Sequence, residues 1–187
     1  MLTAIQTGFY NLLKLWPETS ARNTAYILGD VIKPTTYASH SYECTTAGTS
    51  HATVEPTWTT TNGNTTTDGT AKFTCYDTKT YQIKAPQGSI IPYVTFGPET
   101  DVPMSTFASQ TAMESLTYWV NCFSSKSPAD VAEIADAVLT AMDDSTLTVT
   151  GYTPMKCVRE FVSGTIWDSE TDIYMVATRW RVWLDKD

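Results

Sequence analysis

The chain has 187 residues and a formal net charge of −8, with 42 % hydrophobic and 12 % aromatic residues. This composition supplies a core, which excludes wholesale disorder. The acidic balance gives no general electrostatic reason to grip nucleic acid or an anionic membrane.

The first segment, MLTAIQTGFYNLLKLW, lacks a basic start and a small-residue cleavage site, so no signal peptide is expected. No apolar run approaches the roughly 18–20 residues of a membrane span. Leu2, Ile5, Phe9, Leu12, Leu13 and Trp16 recur at helical spacing, which predicts an amphipathic helix over 2–16, stopped by Pro17.

Residues 18–77 change character. Threonine dominates, helical periodicity is absent, and Pro34, Gly48, Pro56, Gly63 and Gly69 divide the stretch into short runs. Threonine suits the pleated surface of a strand because its Cβ is branched. Strands are expected at Tyr26–Ile32, Ser41–Thr45 and Thr70–Tyr76, with turns at the NGN and DG sequences.

Beyond residue 78 the pattern changes again. Tyr81–Ala85 and Ile91–Phe96 read as strands around the turn Pro86-Gln87-Gly88. Met113–Phe123 alternates Leu116, Tyr118, Val120 and Cys122 on one face. The run SPADVAEIADAVLTAMD then predicts a helix. Ser127 is its cap, Pro128 takes the first helical position, Asp130 sits at the positive end, and Val131, Ile134, Ala135, Val138, Leu139 and Met142 form the buried stripe. Asp143-Asp144 begins a turn. Strands follow at Thr146–Thr150, Met155–Ser163 and Ile173–Leu184. The last presents Tyr174, Val176, Thr178, Trp180, Val182 and Leu184 on one face, after a turn at Asp168–Thr171.

This order predicts an α+β fold: an antiparallel or mixed sheet flanked by two helices, with an inserted all-β module. The first helix is too short to stand alone and must pack on the later sheet. Residues 1–17 and 78–187 therefore form one discontinuous domain of roughly 127 residues, a usual single-domain size, with 18–77 as a guest. Such guests are tolerated because lengthening a surface loop costs little closure entropy.

Chemistry is sparse. No phosphate-binding loop, dinucleotide fingerprint, nucleophile elbow or zinc-protease helix occurs. The only histidines, His40 and His51, lie in the guest block, so the body lacks the commonest general base. This is the pattern of a protein with no catalytic site, cofactor or metal. His40, Cys44, His51 and Cys75 could together hold zinc, but the spacing matches no compact finger; exposed histidines and buried thiols are the alternative. No CxxC pair occurs among Cys44, Cys75, Cys122 and Cys157, which points to reduced thiols, with a Cys44–Cys75 bridge the exception to test. Arg159, Arg179 and Arg181 are strand residues that either form subunit-interface ion pairs or line a solvated sheet face.

Taken together, APQGSIIPYVTFG (85–97), YWVNCFSS (118–125) and SPADVAEIADAVLTAMD (127–143) resemble the tail completion, or tail terminator, family of long-tailed bacteriophages. The matching marks are Pro86-Gln87-Gly88 with Pro92-Tyr93-Val94, Trp119, the helix from Ala132 to Val138, and Asp168 to Thr171 before Arg179 and Arg181. They cover 78–187 plus the first helix. The resemblance implies a virion protein of the tail and neck, assembled in the host cytoplasm. It implies a ring, of six copies, that caps the tail tube and joins the head-side connector, with DNA passing through the lumen unbound. A stopper in the head–tail connector is a neighbouring possibility.

The guest block separately resembles small β modules related to carbohydrate-binding domains, through AYILGDVIKP, YECTTAGTS, EPTW and TDGTAKF. Tyr26, Tyr42 and Trp58 hold the aromatic positions. They either stack on pyranose rings or form the module's own core. If they stack, the protein is a carbohydrate-recognition protein acting through the guest.

Overall fold

The computed structural model describes residues 2–36, 40–77, 79–104, 113–143 and 145–186. In chain order the elements are α1 (Leu2–Leu13), β1 (Glu18–Thr19), β2 (Ala25–Tyr26), β3 (Val31–Lys33), β4 (Ser41–Thr46), β5 (Gly48–Thr49), β6 (Thr65–Asp68), β7 (Ala71–Tyr76), β8 (Thr80–Gln82), β9 (Tyr93–Met104), β10 (Met113–Ser124), α2 (Pro128–Met142), β11 (Tyr152–Val162), β12 (Ile166–Asp168) and β13 (Ile173–Lys186). The chain divides into two compact units, Met1–Trp16 with Thr80–Asp187, and Pro17–Lys79. They are called the body and the module below. Of the junction residues read from the sequence, Thr78 lies outside the described residues, as does Asp144 of the expected Asp143-Asp144 turn.

The body is an α+β fold built on a mixed sheet of order β11-β13-β10-β9-β8, with β12 paired to β13. Every pairing is antiparallel except β8 with β9. The turn at Pro86–Gly88 therefore does not make a hairpin. Ile83, at φ 65, turns the chain away while its amide still donates to Phe96 O at 2.7 Å. Because β8 is only three residues long, about 10 Å, residues 83–92 suffice for the return.

Both helices pack on the sheet and on each other. The predicted inward rows of β10 and β13 are buried at Leu116, Tyr118, Val120, Cys122, Val176, Thr178, Trp180, Val182 and Leu184, while Tyr174 is half-buried and, in β10, the neighbouring Ser115 and Thr117 are buried as well. Phe9 of α1 stacks on Tyr118 with centroids 4.1 Å apart. Helix α2 starts where its capping signals place it: Ser127 Oγ accepts from Asp130 N, and Pro128 occupies the first turn. Its buried stripe is Val131, Ile134, Ala135, Val138 and Met142, while Leu139 sits at the stripe's edge, half-buried. Helix α1 is three residues shorter than expected. Leu15 and Trp16 close it with bonds to Leu12 O and Leu13 O, since a residue preceding proline is pushed out of the helical region. Residues 146–150 make only an isolated bridge, Val149 with Tyr152, rather than the expected strand.

The module holds a five-stranded sheet of order β1-β3-β4-β7-β6 and a two-stranded sheet of β2 with β5. Strand β1 runs parallel to β3 and the other pairings are antiparallel. The expected strand Tyr26–Ile32 is broken. Gly29 sits at φ 86, and the Asp30 carboxylate accepts from Ile27 N at 2.7 Å, so a tight turn separates β2 from β3. The DG signal makes a hairpin between β6 and β7, with Asp68 opposite Ala71. Gly69 is required there twice over: its φ is +65, and a Cβ would lie 2.2 Å from Thr49 O.

Candidate functional site

The two faces of the body sheet differ. The inner face lies under the helices. On the outer face the register aligns rows across the strands: Tyr93, Phe123, Met175 and Ile166 make one, and Gly97, Trp119, Arg179 and Phe161 another. Tyr93 and Phe123 rings lie 5.1 Å apart. Gly97 has no side chain because Trp119 occupies the space; a Cβ would meet the indole at 2.6 Å.

Two bulges shape this face. In β9, Tyr118 pairs with Pro98 but Thr117 with Thr100, so Glu99 is the extra residue. In β11, Arg159 pairs with Trp180 but Phe161 with Arg179, so Glu160 is extra. A bulge bends a strand and re-aims a side chain. Both extra residues are glutamates, and both reach Arg179: Glu99 at 3.3 Å and Glu160 at 3.7 Å. Glu160 also bonds Arg181 Nε, and Arg181 Nη1 donates to Ser115 Oγ at 3.2 Å. Glu99, Thr100, Thr117, Glu160, Arg179 and Arg181 line an open depression of about 440 Å³. Arg179 keeps 45 % of its side chain exposed, so these pairs are worth about 0–1 kcal/mol each and can exchange partners cheaply.

Arg159 belongs elsewhere. It pairs with Asp143 at the C-terminal end of α2, at 3.4 Å. The sequence grouped three arginines; the structure brings together Arg179 and Arg181 only. The bulged glutamates that organise them were invisible to strand periodicity, because an inserted residue is what breaks that periodicity.

In the module the aromatic candidates are core. Tyr42 is wholly buried, Tyr26 nearly so, and Trp58 packs against them partly buried. Trp58 lies 4.5 Å from Tyr42 and 5.5 Å from Phe73, and Tyr26 meets Phe73 edge-on at 5.3 Å. Tyr42 Oη donates to Thr59 O at 2.8 Å, and burial pushes its pKa up. Of the two alternatives left open for these rings, core or sugar stacking, the burial of Tyr26 and Tyr42 favours core, while Trp58 is only partly buried.

The sequence also missed the module's polar centre. Glu55 accepts from Ser20 Oγ (2.9 Å), Thr35 N (3.0 Å), Thr35 Oγ1 and Trp58 Nε1 (2.8 Å). Burial alone would raise its pKa, but the bonds from Thr35, Trp58 and Ser20 prevail and hold it at about 2. Asp68, fully buried, pairs with Arg22 at 2.8 Å and accepts from His51 N at 2.9 Å. His51 Nδ1 accepts from the Val54 amide at 3.0 Å, a turn-stabilising role. Lys79 is buried against Glu43 at 2.7 Å, with its ammonium 4.2 Å from the Tyr76 ring centroid. All four cysteines are buried and none is in a disulfide, Cys44 and Cys75 included. Burial raises the Cys75 pKa and lifts Cys122 and Cys157 to about 12, so these three are not ready nucleophiles. Among the described residues no three His, Cys, Asp or Glu side chains converge as metal ligands, and no helix is long and apolar enough to cross a membrane.

No curated protein matches the chain in sequence. Among solved structures, a chain described as "Virion of native gene transfer agent (GTA) particle" aligns with a TM-score of 0.51 and 16 % identity, covering 58 % of this chain and 80 % of that one; at this identity the likeness is one of fold. The family model described as "Tail completion protein gp17" matches residues 69–185. That span begins at the β6–β7 turn and runs through every long strand of the body, with α1 outside it. On this match the chain belongs to the tail completion protein gp17 family and is a structural protein of the bacteriophage virion, placed at the tail.

Proposed function

We propose that the protein forms a closed ring of about six copies that caps the tail tube and presents a docking surface to the head-side connector. The observation that carries this reading is the family match across the whole long-stranded sheet. The role is one of assembly, with no catalytic step. A ring needs head-to-tail contacts that close after a fixed rotation. The genome passes through the lumen, where acidic side chains repel phosphate; the net charge of −8 is compatible with that. Native mass spectrometry of the full chain, alone and with tail tubes, tests the reading. A closed oligomer is expected, and a strict monomer that never associates with tubes overturns it.

Residues 18–77, in this reading, are an inserted module that decorates the ring. Two observations favour this: the chain divides at Trp16 and Thr80 into two compact units, and within the body Thr80 Oγ1 donates to Leu13 O at 3.3 Å, which holds the two ends of the interruption together. A gene in which Pro17–Lys79 is replaced by a short Gly/Ser linker should complement a phage lacking its terminator. Overlong tails, or tails without heads, would show instead that the module takes part in termination.

A further inference from the structure

We propose that the outer face of the body sheet in one copy receives the exposed face of α2 from a second copy, with Arg179 and Arg181 set against Glu133 and Asp136. The proposal rests on the ring reading and names its contact.

The long strand edges are poor candidates for that contact, and the other two, β8 and β12, are only three residues each. Strand β9 beyond Gly97 carries Pro98 and Pro103, and β11 carries Pro154 and two bulges. Proline has no N–H to give a neighbouring strand, and bulges twist an edge away from flat pairing; both are ways of blocking edge-to-edge extension. Faces remain.

The outer sheet face offers half-buried apolar rows with Phe161 and Ile166 about half exposed, and among the described residues no helix of the body covers it. Beside those rows stand Arg179, held by Glu99 and Glu160, and Arg181, held by Glu160 and Ser115.

Helix α2 offers the complement. Its solvent side carries Ala129, Ala132, Glu133 and Asp136. Asp130 is matched by Lys126 at 3.6 Å and Asp143 by Arg159 at 3.4 Å, but among the described residues neither Glu133 nor Asp136 has a cation within ion-pair distance. Side chains three apart on a helix stand about 5–6 Å apart. Alternate side chains on a strand stand about 7 Å apart. The acid pair and the arginine pair therefore have nearly the same pitch, and the small residues one turn before the acids let the helix lie close to the aromatic rows. Helix and sheet face are different surfaces, so the contact is heterologous, the kind that closes rings.

The test uses two full-length variants, Arg179→Glu with Arg181→Glu, and Glu133→Arg with Asp136→Arg. All four positions are exposed or half-exposed, and circular dichroism checks that each variant folds. Alone, each faces like charge across every contact and should weaken assembly by about tenfold or more. Mixed one to one, they can alternate round a ring so that every contact is again acid against base, and oligomers of wild-type mass should return, each holding equal numbers of the two. If the wild type makes rings and both variants still do so alone at the same concentration, or if the mixture fails to restore rings, the contact is overturned. If the wild type makes no ring with or without tubes, the ring reading itself fails, and the contact with it.

Discussion

The body and the module are both β-rich, yet they are held by different chemistry. The body buries long alternating strands under two helices, and its fully buried side chains are mainly aliphatic and aromatic. The module has strands of two to six residues and a small ring cluster of Tyr26, Tyr42, Phe73 and Trp58. It adds the hubs at Glu55 and Asp68, which tie loops together through directed bonds. Apolar packing depends on area and tolerates small shifts; a carboxylate hub depends on each bond being made. The two regions should therefore respond differently to truncation, to loss of charge and to acid.

The largest effect is expected in the body. Trp180 is wholly buried and donates its indole N–H to Thr178 Oγ1 at 2.8 Å. Trp180→Ala should cost about 3–5 kcal/mol in denaturant unfolding. A loss below 1 kcal/mol would mean that the sheet face is not the core.

Next comes the buried ion pair of the module. Asp68→Ala takes the carboxylate from Arg22, which keeps its bond to Val54 O, and leaves the His51 amide unpaired. Breaking a buried pair costs about 3–5 kcal/mol, and partial exposure of Arg22 places this one near about 3. Hydrogen exchange should show the loss across Pro17–Lys79 while the body amides stay protected. Equal loss in both regions would make the two units one cooperative block.

Glu55 gives a smaller effect with a pH signature. Glu55→Gln should cost about 1–3 kcal/mol, from weakened charge-assisted bonds. The carboxyl sits near 2 in the fold against 4.5 ordinarily, so its stabilisation is complete above about 4.5 and is lost as pH falls towards about 2. Acid titration of wild type should destabilise the module across that window, and the variant should show a flatter profile there. Identical profiles would remove Glu55 as the hub.

The smallest effect belongs to Arg159. Its pair with Asp143 leaves 39 % of each side chain exposed, so Arg159→Ala should change stability by less than about 1 kcal/mol. A larger change would place this pair in a packed setting that the body lacks.

The same contrast explains what was readable beforehand. Periodicity reports apolar burial, so Leu116–Cys122, Tyr174–Leu184 and the stripe from Val131 to Met142 could be placed from the sequence. Capping chemistry is local, so Ser127-Pro128 fixed the start of α2. The Glu55 hub joins Ser20, Thr35 and Trp58 across up to 35 residues, and no local pattern records such a join. The parallel pairing of β8 with β9 was missed for a related reason: a turn signal says that the chain bends, not on which side it returns. Tyr26 and Tyr42 were ambiguous because an exposed ring and a buried ring look alike in a sequence.

The bond from Thr80 to the carbonyl of Leu13 bears on engineering. If residues 18–77 are an insertion as proposed, it ties the two ends of the interruption to one another within the body. Any folded domain whose termini lie close together could be carried there without re-solving the body's packing. A peptide antigen or a fluorescent reporter spliced between Trp16 and Thr80 would then be displayed once per subunit, giving each virion a small, countable array at one defined place.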